Sequence, residues 1–233
     1  MRRILSKTAE IILCTLTVVA AVAFVFFKTP TTYAAEGHIT EVKDIAASAE
    51  KEKIVELLSD GVFPLYAENG EYAFLPYDAA DRAYVALAVV KSAGISTSDY
   101  SEATLGVADE KSIPVEYLPY VKAAVLSGIM PVYGTDDATY FYSDKNVSRE
   151  EAAYILSKLA AVAASSSKSD IFSDKDDISD IFYASVDKAV SLGIAEGYGN
   201  GTFKPKSAIT HEELAAWIYN LKHSGYLITR KGN

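Results

Sequence analysis

The chain has 233 residues, half of them hydrophobic, with 22 basic and 31 acidic side chains and a net charge of −9. Without the first 34 residues the balance is 18 basic to 30 acidic, a net charge of −12, and such a surface makes nucleic acid and anionic lipid poor partners. The single cysteine, Cys14, leaves no basis for a disulfide framework or a thiolate metal site.

The chain opens with Arg2, Arg3 and Lys7, an apolar run over 11–27, and Thr32-Tyr33-Ala34 as a small-x-small cleavage pattern. This is the layout of a secretory signal peptide. The run falls somewhat short of the about 20 apolar residues of a comfortable spanning helix. Residues 1–34 are therefore read as an export signal, with an uncleaved membrane anchor as the alternative, and membrane contact is expected only through 11–27. Either way the remainder lies outside the cytoplasm. Cys14 follows Leu13, not the small residue a lipoprotein signal would place there.

Residues 35–49 read as a polar lead-in. A helical pattern then begins near Glu50, with Ile54, Leu57 and Leu58 on one face, and stops at Gly61-Val62. Glycine followed by an apolar residue is a helix stop, because glycine takes the left-handed conformation at little cost. The turn Asn69-Gly70 and Phe74-Leu75-Pro76 lead to a second helix from about Asp81, apolar at Tyr84, Leu87, Ala88 and Val90. The order repeats from Val107-Ala108-Asp109. A helix with Val121, Ala124 and Val125 inward stops at Gly128-Ile129, and Phe141 precedes a helix opened by Ser148 and apolar at Ala152, Ile155, Leu156 and Leu159. Residues 160–169 fade into Ala and Ser, as a short linker would.

The third passage starts at Phe172-Ser173-Asp174, carries Val186, Ala189 and Val190, and stops at Gly193-Ile194. A glycine-rich turn, Phe203-Lys204-Pro205 and Thr210 then open a helix with Leu214, Trp217, Ile218 and Leu221 as its buried stripe. Ser148 with Glu151, and Thr210 with Glu213, have capping-box spacing. Phe74 to Asp81, Phe141 to Ser148 and Phe203 to Thr210 are equal intervals of seven residues, and the stop glycines recur at about 65 residues, the scale of a repeated supersecondary unit. The divisions are 35–98, 99–163 and 164–233.

Just inside the second helix of each passage stand Arg82, Arg149 and His211. A cation in the first turn opposes the helix dipole by roughly a few tenths of a kcal/mol. One reading is a surface arginine paired with a nearby carboxylate. The other is an anion site, since arginine and free helix N–H groups together suit a carboxylate or phosphate. Tyr133 and Tyr198, near the turns, could stack on sugar rings or simply pack.

At these residues the chain resembles the S-layer homology (SLH) domain family, whose pattern runs Phe-x-Asp, helix, Gly-Ile, Gly-Tyr-x-x-Gly-x-Phe-x-Pro and Ile-Thr-Arg-Ala-Glu. The third passage carries it in Phe172-Ser173-Asp174, Gly193-Ile194, Gly197-Tyr198, Gly201-Thr202-Phe203-Lys204-Pro205 and Ile209-Thr210-His211-Glu212-Glu213. The second carries Gly128-Ile129, Phe141 and Val147-Ser148-Arg149-Glu150-Glu151. The first keeps Gly61, Gly70, Phe74, Pro76 and Asp81-Arg82-Ala83. Two positions depart from the pattern: His211 stands where the family has arginine, and Tyr84 where it has glutamate.

The resemblance implies an all-α fold of three helix-loop-helix repeats in a pseudo-threefold arrangement. It also implies non-covalent attachment to the bacterial cell envelope through anionic, often pyruvylated, secondary cell-wall polysaccharide held in grooves between repeats, on the cell surface after export. The family's arginine meets the sugar carboxylate, a role that falls by position to Arg149 and Arg82. His211 lacks the permanent, bidentate charge of a guanidinium. An envelope scaffold, or a membrane-to-wall tether anchored by the apolar leader, is the alternative. The glycine-rich turn leads to Phe-Lys-Pro rather than directly into a helix, unlike a phosphate loop. His38, His211 and His223 lack zinc-ligand spacing, and no nucleophile has an evident base. No enzyme and no cofactor are expected.

Overall fold

In a computed structural model, the residues described are 38–68, 71–163 and 169–229. The export signal or anchor expected over 1–34, its apolar run 11–27 and Cys14 lie outside the described residues. Among the described residues no helix is long and apolar enough to cross a membrane.

Six α-helices are found among the described residues: α1 (Lys51–Ser59), α2 (Arg82–Ser92), α3 (Leu118–Leu126), α4 (Arg149–Leu159), α5 (Asp180–Ser191) and α6 (His211–His223). The glycine stops operate as expected. At Gly61, Gly128 and Gly193 φ lies between 67° and 76°. Each glycine N–H and the N–H after it turn back onto the last helical carbonyls, as in Val62 N–H to the Leu57 oxygen and Ile194 N–H to the Ala189 oxygen, both 2.9 Å. Helices α1, α3 and α5 are thus closed by the same device.

Helices pack across the passages rather than within them: α2 on α3, α4 on α5, and α6 on α1. Helices α2 and α4 also touch α6, which places the three later helices at the centre. The expected stripe of α2 is therefore too narrow. Arg82 through Val90 are all buried, as befits a helix apolar on every side. The expected stripes of α4 and α6 are buried as read, whereas Val125 of α3 is only half-buried.

The all-α, pseudo-threefold expectation is corrected. Strands β1 (Tyr66–Glu68) and β2 (Glu71–Ala73) form one antiparallel hairpin, and β3 (Tyr133–Gly134) and β4 (Thr139–Tyr140) form a second. The corresponding loop of the third passage keeps the contact from Tyr198 N–H to the Thr202 oxygen (2.8 Å) without becoming a strand pair. The physical cause is local. One tyrosine on each side, Tyr66 and Tyr72, flanks the hairpin signal Asn69-Gly70 in the first loop, and Tyr133 and Tyr140 pair in the second, whereas glycines 197, 199 and 201 dominate the third.

The stretches preceding α2, α4 and α6 interlock. Ala80 N–H donates to Ile209 (2.8 Å), Ile209 N–H to Val147 (2.9 Å) and Val147 N–H to Ala80 (2.9 Å), so three backbone hydrogen bonds close a cycle. The lead-in also belongs to the fold, since Val42 and Ile45 are buried. At the other end Ile228 N–H bonds the Leu159 oxygen and Ala161 N–H the Tyr226 oxygen, both 2.8 Å, which ties the C-terminal stretch to the end of α4.

Candidate functional site

The helix starts do not offer free N–H groups. In α4, Arg149 N–H donates to the Ser207 oxygen (2.9 Å), Glu150 N–H to the Pro205 oxygen (3.1 Å) and Glu151 N–H to Ser148 Oγ (3.3 Å). The first turns of α2 and α6 are satisfied alike: Arg82 and Ala83 by Lys145 and Ser143, His211 and Glu212 by Asp78 and Pro76. The N-caps Asp81 and Thr210 take the third amide of each. The donors that make a helix start an anion site are consumed by the neighbouring loop. Thr210 and Glu213 form the full capping box. The box expected at Ser148 is only half made, because the Glu151 carboxylate is engaged elsewhere.

Arg82 and Arg149 are interior residues, 0% and 2% exposed. Arg149 donates through Nε to the Phe203 oxygen (2.8 Å), through Nη1 to Glu213 Oε1 (2.8 Å) and through Nη2 to the Glu196 oxygen (2.6 Å). Its guanidinium lies 4.6 Å from the Tyr198 ring centre and 4.7 Å from Trp217. Arg82 repeats the pattern, donating to the Phe141 oxygen (2.6 Å), Glu151 Oε1 and the Pro131 oxygen (2.5 Å), with Tyr133 at 4.8 Å. Burial draws both guanidinium pKa values down, and the partner carboxylate opposes this. The carboxylates are shared with phenols: Tyr133 Oη donates to Glu151 (2.8 Å) and Tyr198 Oη to Glu213 (2.5 Å).

His211 occupies the third such place. It is buried, with Nδ1 3.1 Å from the Phe74 oxygen. Tyr84 stacks on it at 4.0 Å between ring centres and 12° between planes, with Tyr66 parallel at 6.1 Å. Tyr84 stands where Glu151 and Glu213 stand in the other two. The two departures from the family pattern therefore meet face to face, and a stacked ring pair stands where the other two brackets have an ion pair.

Each bracket rests on an aspartate. Asp109 accepts from Phe141 N–H (2.8 Å) and Tyr142 N–H (2.7 Å), and Asp174 from Phe203 N–H (2.8 Å) and Lys204 N–H (2.7 Å). Asp44 accepts from Phe74 N–H and from Leu75 N–H, the latter at 2.7 Å. Leu75, Tyr142 and Lys204 have φ of 59°, 56° and 53°, a conformation that costs a side-chain-bearing residue about 1–2 kcal/mol. Two charge-assisted hydrogen bonds offset that cost and aim the adjacent carbonyl at the arginine or histidine.

The brackets bring each predicted tyrosine to its predicted arginine, Tyr133 to Arg82 and Tyr198 to Arg149, and set His211 against Tyr66. Glu151 and Glu213 were read only as capping-box partners and motif residues, and Tyr66 and Asp44 were not singled out. Asp44, Asp109 and Asp174 stand 65 residues apart, which was the available signal for Asp44.

Burial first, and then the Glu151 carboxylate, push the Tyr133 phenol up to about 12. Burial and the hydrogen bond to Glu213 do the same for Tyr198. An unfolded tyrosine ionises near about 10, so the folded chain retains these protons where the unfolded chain loses them. The stability they contribute is complete below pH of about 10 and is lost as pH rises toward about 12. The Tyr66 and Tyr84 phenols are raised further, chiefly by burial, so phenolate absorbance and helical circular dichroism should show these four tyrosines ionising late, with their titration accompanying unfolding. Full ionisation near 10 with the helices intact would contradict these contacts.

Residues 171–215 match the family model described as S-layer homology domain. SLH domains are binding domains, generally involved in anchoring to cell-wall polysaccharide, and proteins that carry them are typically cell-surface associated. Comparison with curated proteins gives no match.

Proposed function

We propose that the chain attaches non-covalently to the bacterial cell surface by binding anionic secondary cell-wall polysaccharide, pyruvylated sugars included. In this reading residues 35–98 and 99–163 are two further, more diverged SLH units beside the matched one. The aspartate, phenylalanine and arginine-or-histidine bracket, present three times, supports that division.

One observation carries the ligand assignment. The Tyr198 ring lies between buried Arg149, at 4.6 Å, and the exposed ammonium of Lys204, at 4.1 Å. Tyr133 lies likewise between Arg82, at 4.8 Å, and exposed Lys145, at 5.2 Å. Lys204 and Lys145 lie over these rings and are exposed, and in so acidic a protein their ammonium groups are where a carboxylate-bearing polyanion can approach. The arginines act from beneath by holding the rings. Among the described residues the His211 bracket has no such lysine at Tyr66, and it is the weakest of the three.

Lys204→Glu and Lys145→Glu should each weaken sedimentation with purified cell walls by about tenfold, as loss of a charged contact does, and together should abolish it. Both side chains are exposed, so folding is preserved. Equal binding to walls stripped of their acidic glycan would overturn the proposal.

A further inference from the structure

The loop that leads to α6 carries Asn200-Gly201, and both residues are exposed to solvent. Counted from the bracket phenylalanine, the place of Asn200 is taken by Ala138 in the second passage and by Glu71 in the first. Only the third passage puts an asparagine there, and a glycine follows it.

The Asn200 side chain is held by its neighbour. Its Oδ1 accepts from Thr202 N–H (3.2 Å) and from Thr202 Oγ (2.7 Å). An asparagine oxygen tied to the residue two positions on folds its side chain over the amide between them, here the Gly201 nitrogen. Glycine has no Cβ to hinder approach to that nitrogen. The Thr202 donors also sit at the oxygen on which negative charge gathers when the carboxamide carbon is attacked, and donors so placed lower the barrier. One contact opposes the attack: Gly201 N–H donates to the Tyr198 oxygen (3.0 Å), and this proton must leave first.

We propose that Asn200 is a site of spontaneous covalent modification, promoted by Thr202. Hydroxide removes the Gly201 amide proton, and the nitrogen attacks Asn200 Cγ to form a new N–C bond. The Cγ–Nδ2 bond breaks, and Nδ2 leaves as ammonia with a proton taken from water, which regenerates the hydroxide. Water then opens the cyclic imide. Hydrolysis at Cγ leaves an aspartate, and hydrolysis at the backbone carbonyl leaves an isoaspartate. One water is consumed, one ammonia is released, and nothing is oxidised or reduced.

The turn that would change is tied to the neighbouring bracket. Tyr198 N–H donates to the Thr202 oxygen (2.8 Å), and Ser173 N–H, beside the bracket Asp174, donates to the Gly201 oxygen (2.9 Å). An isoaspartate routes the main chain through the Cβ of residue 200 and lengthens this turn. Either product adds a carboxylate to the loop that carries Tyr198, where it repels a polyanion. Attachment through the third passage therefore weakens with the age of the chain. That consequence rests on the glycan-binding reading, whereas the conversion does not.

The experiment holds the full chain in mildly alkaline buffer and follows Asn200 by peptide mapping, with mass spectrometry for the acid and enzymatic methylation for the isoaspartate. Asn69-Gly70 is the same dipeptide and serves as an internal clock. Thr202→Val keeps the branched shape but removes the hydroxyl donor. It should slow conversion of Asn200 by about fivefold, the effect of one hydrogen bond to the developing charge, and leave the rate at Asn69 unchanged. Absence of conversion at Asn200 overturns the proposal. So does an equal or faster rate in Thr202→Val, which would make Thr202 a restraint, or a slowing shared with Asn69. Wall sedimentation should fall as isoaspartate accumulates, with Asn200→Asp, which adds the charge without the longer backbone, between the fresh and aged chains. Equal wall binding by fresh and aged chains overturns the consequence for attachment alone. Loss of Lys204 dependence in the fresh chain instead overturns the glycan reading.

Discussion

Glu151→Ala should lower the free energy of unfolding by about 3–5 kcal/mol, the cost of leaving a buried charge without its partner. Arg82 is wholly enclosed, and Glu151 is its only carboxylate partner within ion-pair distance among the described residues. The same substitution strands the Tyr133 hydroxyl, which donates to that carboxylate. Urea titration measures the loss. Asp170→Ala, which breaks an exposed pair with Lys175, should leave the midpoint essentially unmoved. Replacing both partners, as Arg82→Met with Glu151→Leu, should cost much less than Glu151→Ala, because no charge then stays buried. Equal losses for the single and double variants would mean that packing, not charge, dominates at this bracket.

The second large effect concerns the stacked pair of His211 and Tyr84. Tyr84→Glu puts a carboxylate into a fully buried position with no arginine to receive it, at a cost of about 3 kcal/mol or more. His211→Arg puts a guanidinium beside Tyr84 with no acid to receive it. Combined, the two substitutions rebuild the arrangement of Arg149 with Glu213, so the double variant should be more stable than the sum of the single effects predicts, by about 1–3 kcal/mol. Strict additivity in the cycle would show that the His211 and Tyr84 departures are unrelated. This result also bears on the proposed function, since a restored arginine near Tyr66 still lacks an exposed lysine over that ring among the described residues and should not by itself improve wall binding.

Much of the helical fold was legible because glycine stops and N-caps are local devices whose chemistry is written in adjacent residues. Gly61-Val62 and Thr210 with Glu213 needed no tertiary information. The hairpins were missed although Asn69-Gly70 flanked by tyrosines is a hairpin signal, because the loop was read only as a connection between helices. The lead-in was missed for another reason: Asp44 acts on Phe74 and Leu75 some thirty residues away, and only its 65-residue spacing from Asp109 announces it. At the candidate site, sequence reasoning singled out Arg82, Arg149 and His211, which the brackets enclose, and misjudged their surroundings. Arg82 and Arg149 were read as surface cations, either paired with a nearby carboxylate or open to an anion at free helix ends; the carboxylates are there, but the arginines are buried. Which carbonyls fill the first turn of α4 depends on the loop at 205–207, and nothing local to Arg149 reveals that. The pairing of His211 with Tyr84 was likewise invisible until the last helix was seen to return to the first passage.

The cycle formed by Ala80, Val147 and Ile209 has a dynamic consequence. In an open stack of units the terminal ones can fray while the rest persists. Here no member of the cycle is terminal, since each amide is held by the carbonyl of another passage. Releasing any one passage removes an acceptor from a second and a donor from the third. In amide hydrogen exchange these three protons should leave together, at the rate of global opening, and should be the slowest in the molecule. The attachment surface would then be lost all at once or not at all, and a pull on one end would meet the resistance of all three passages.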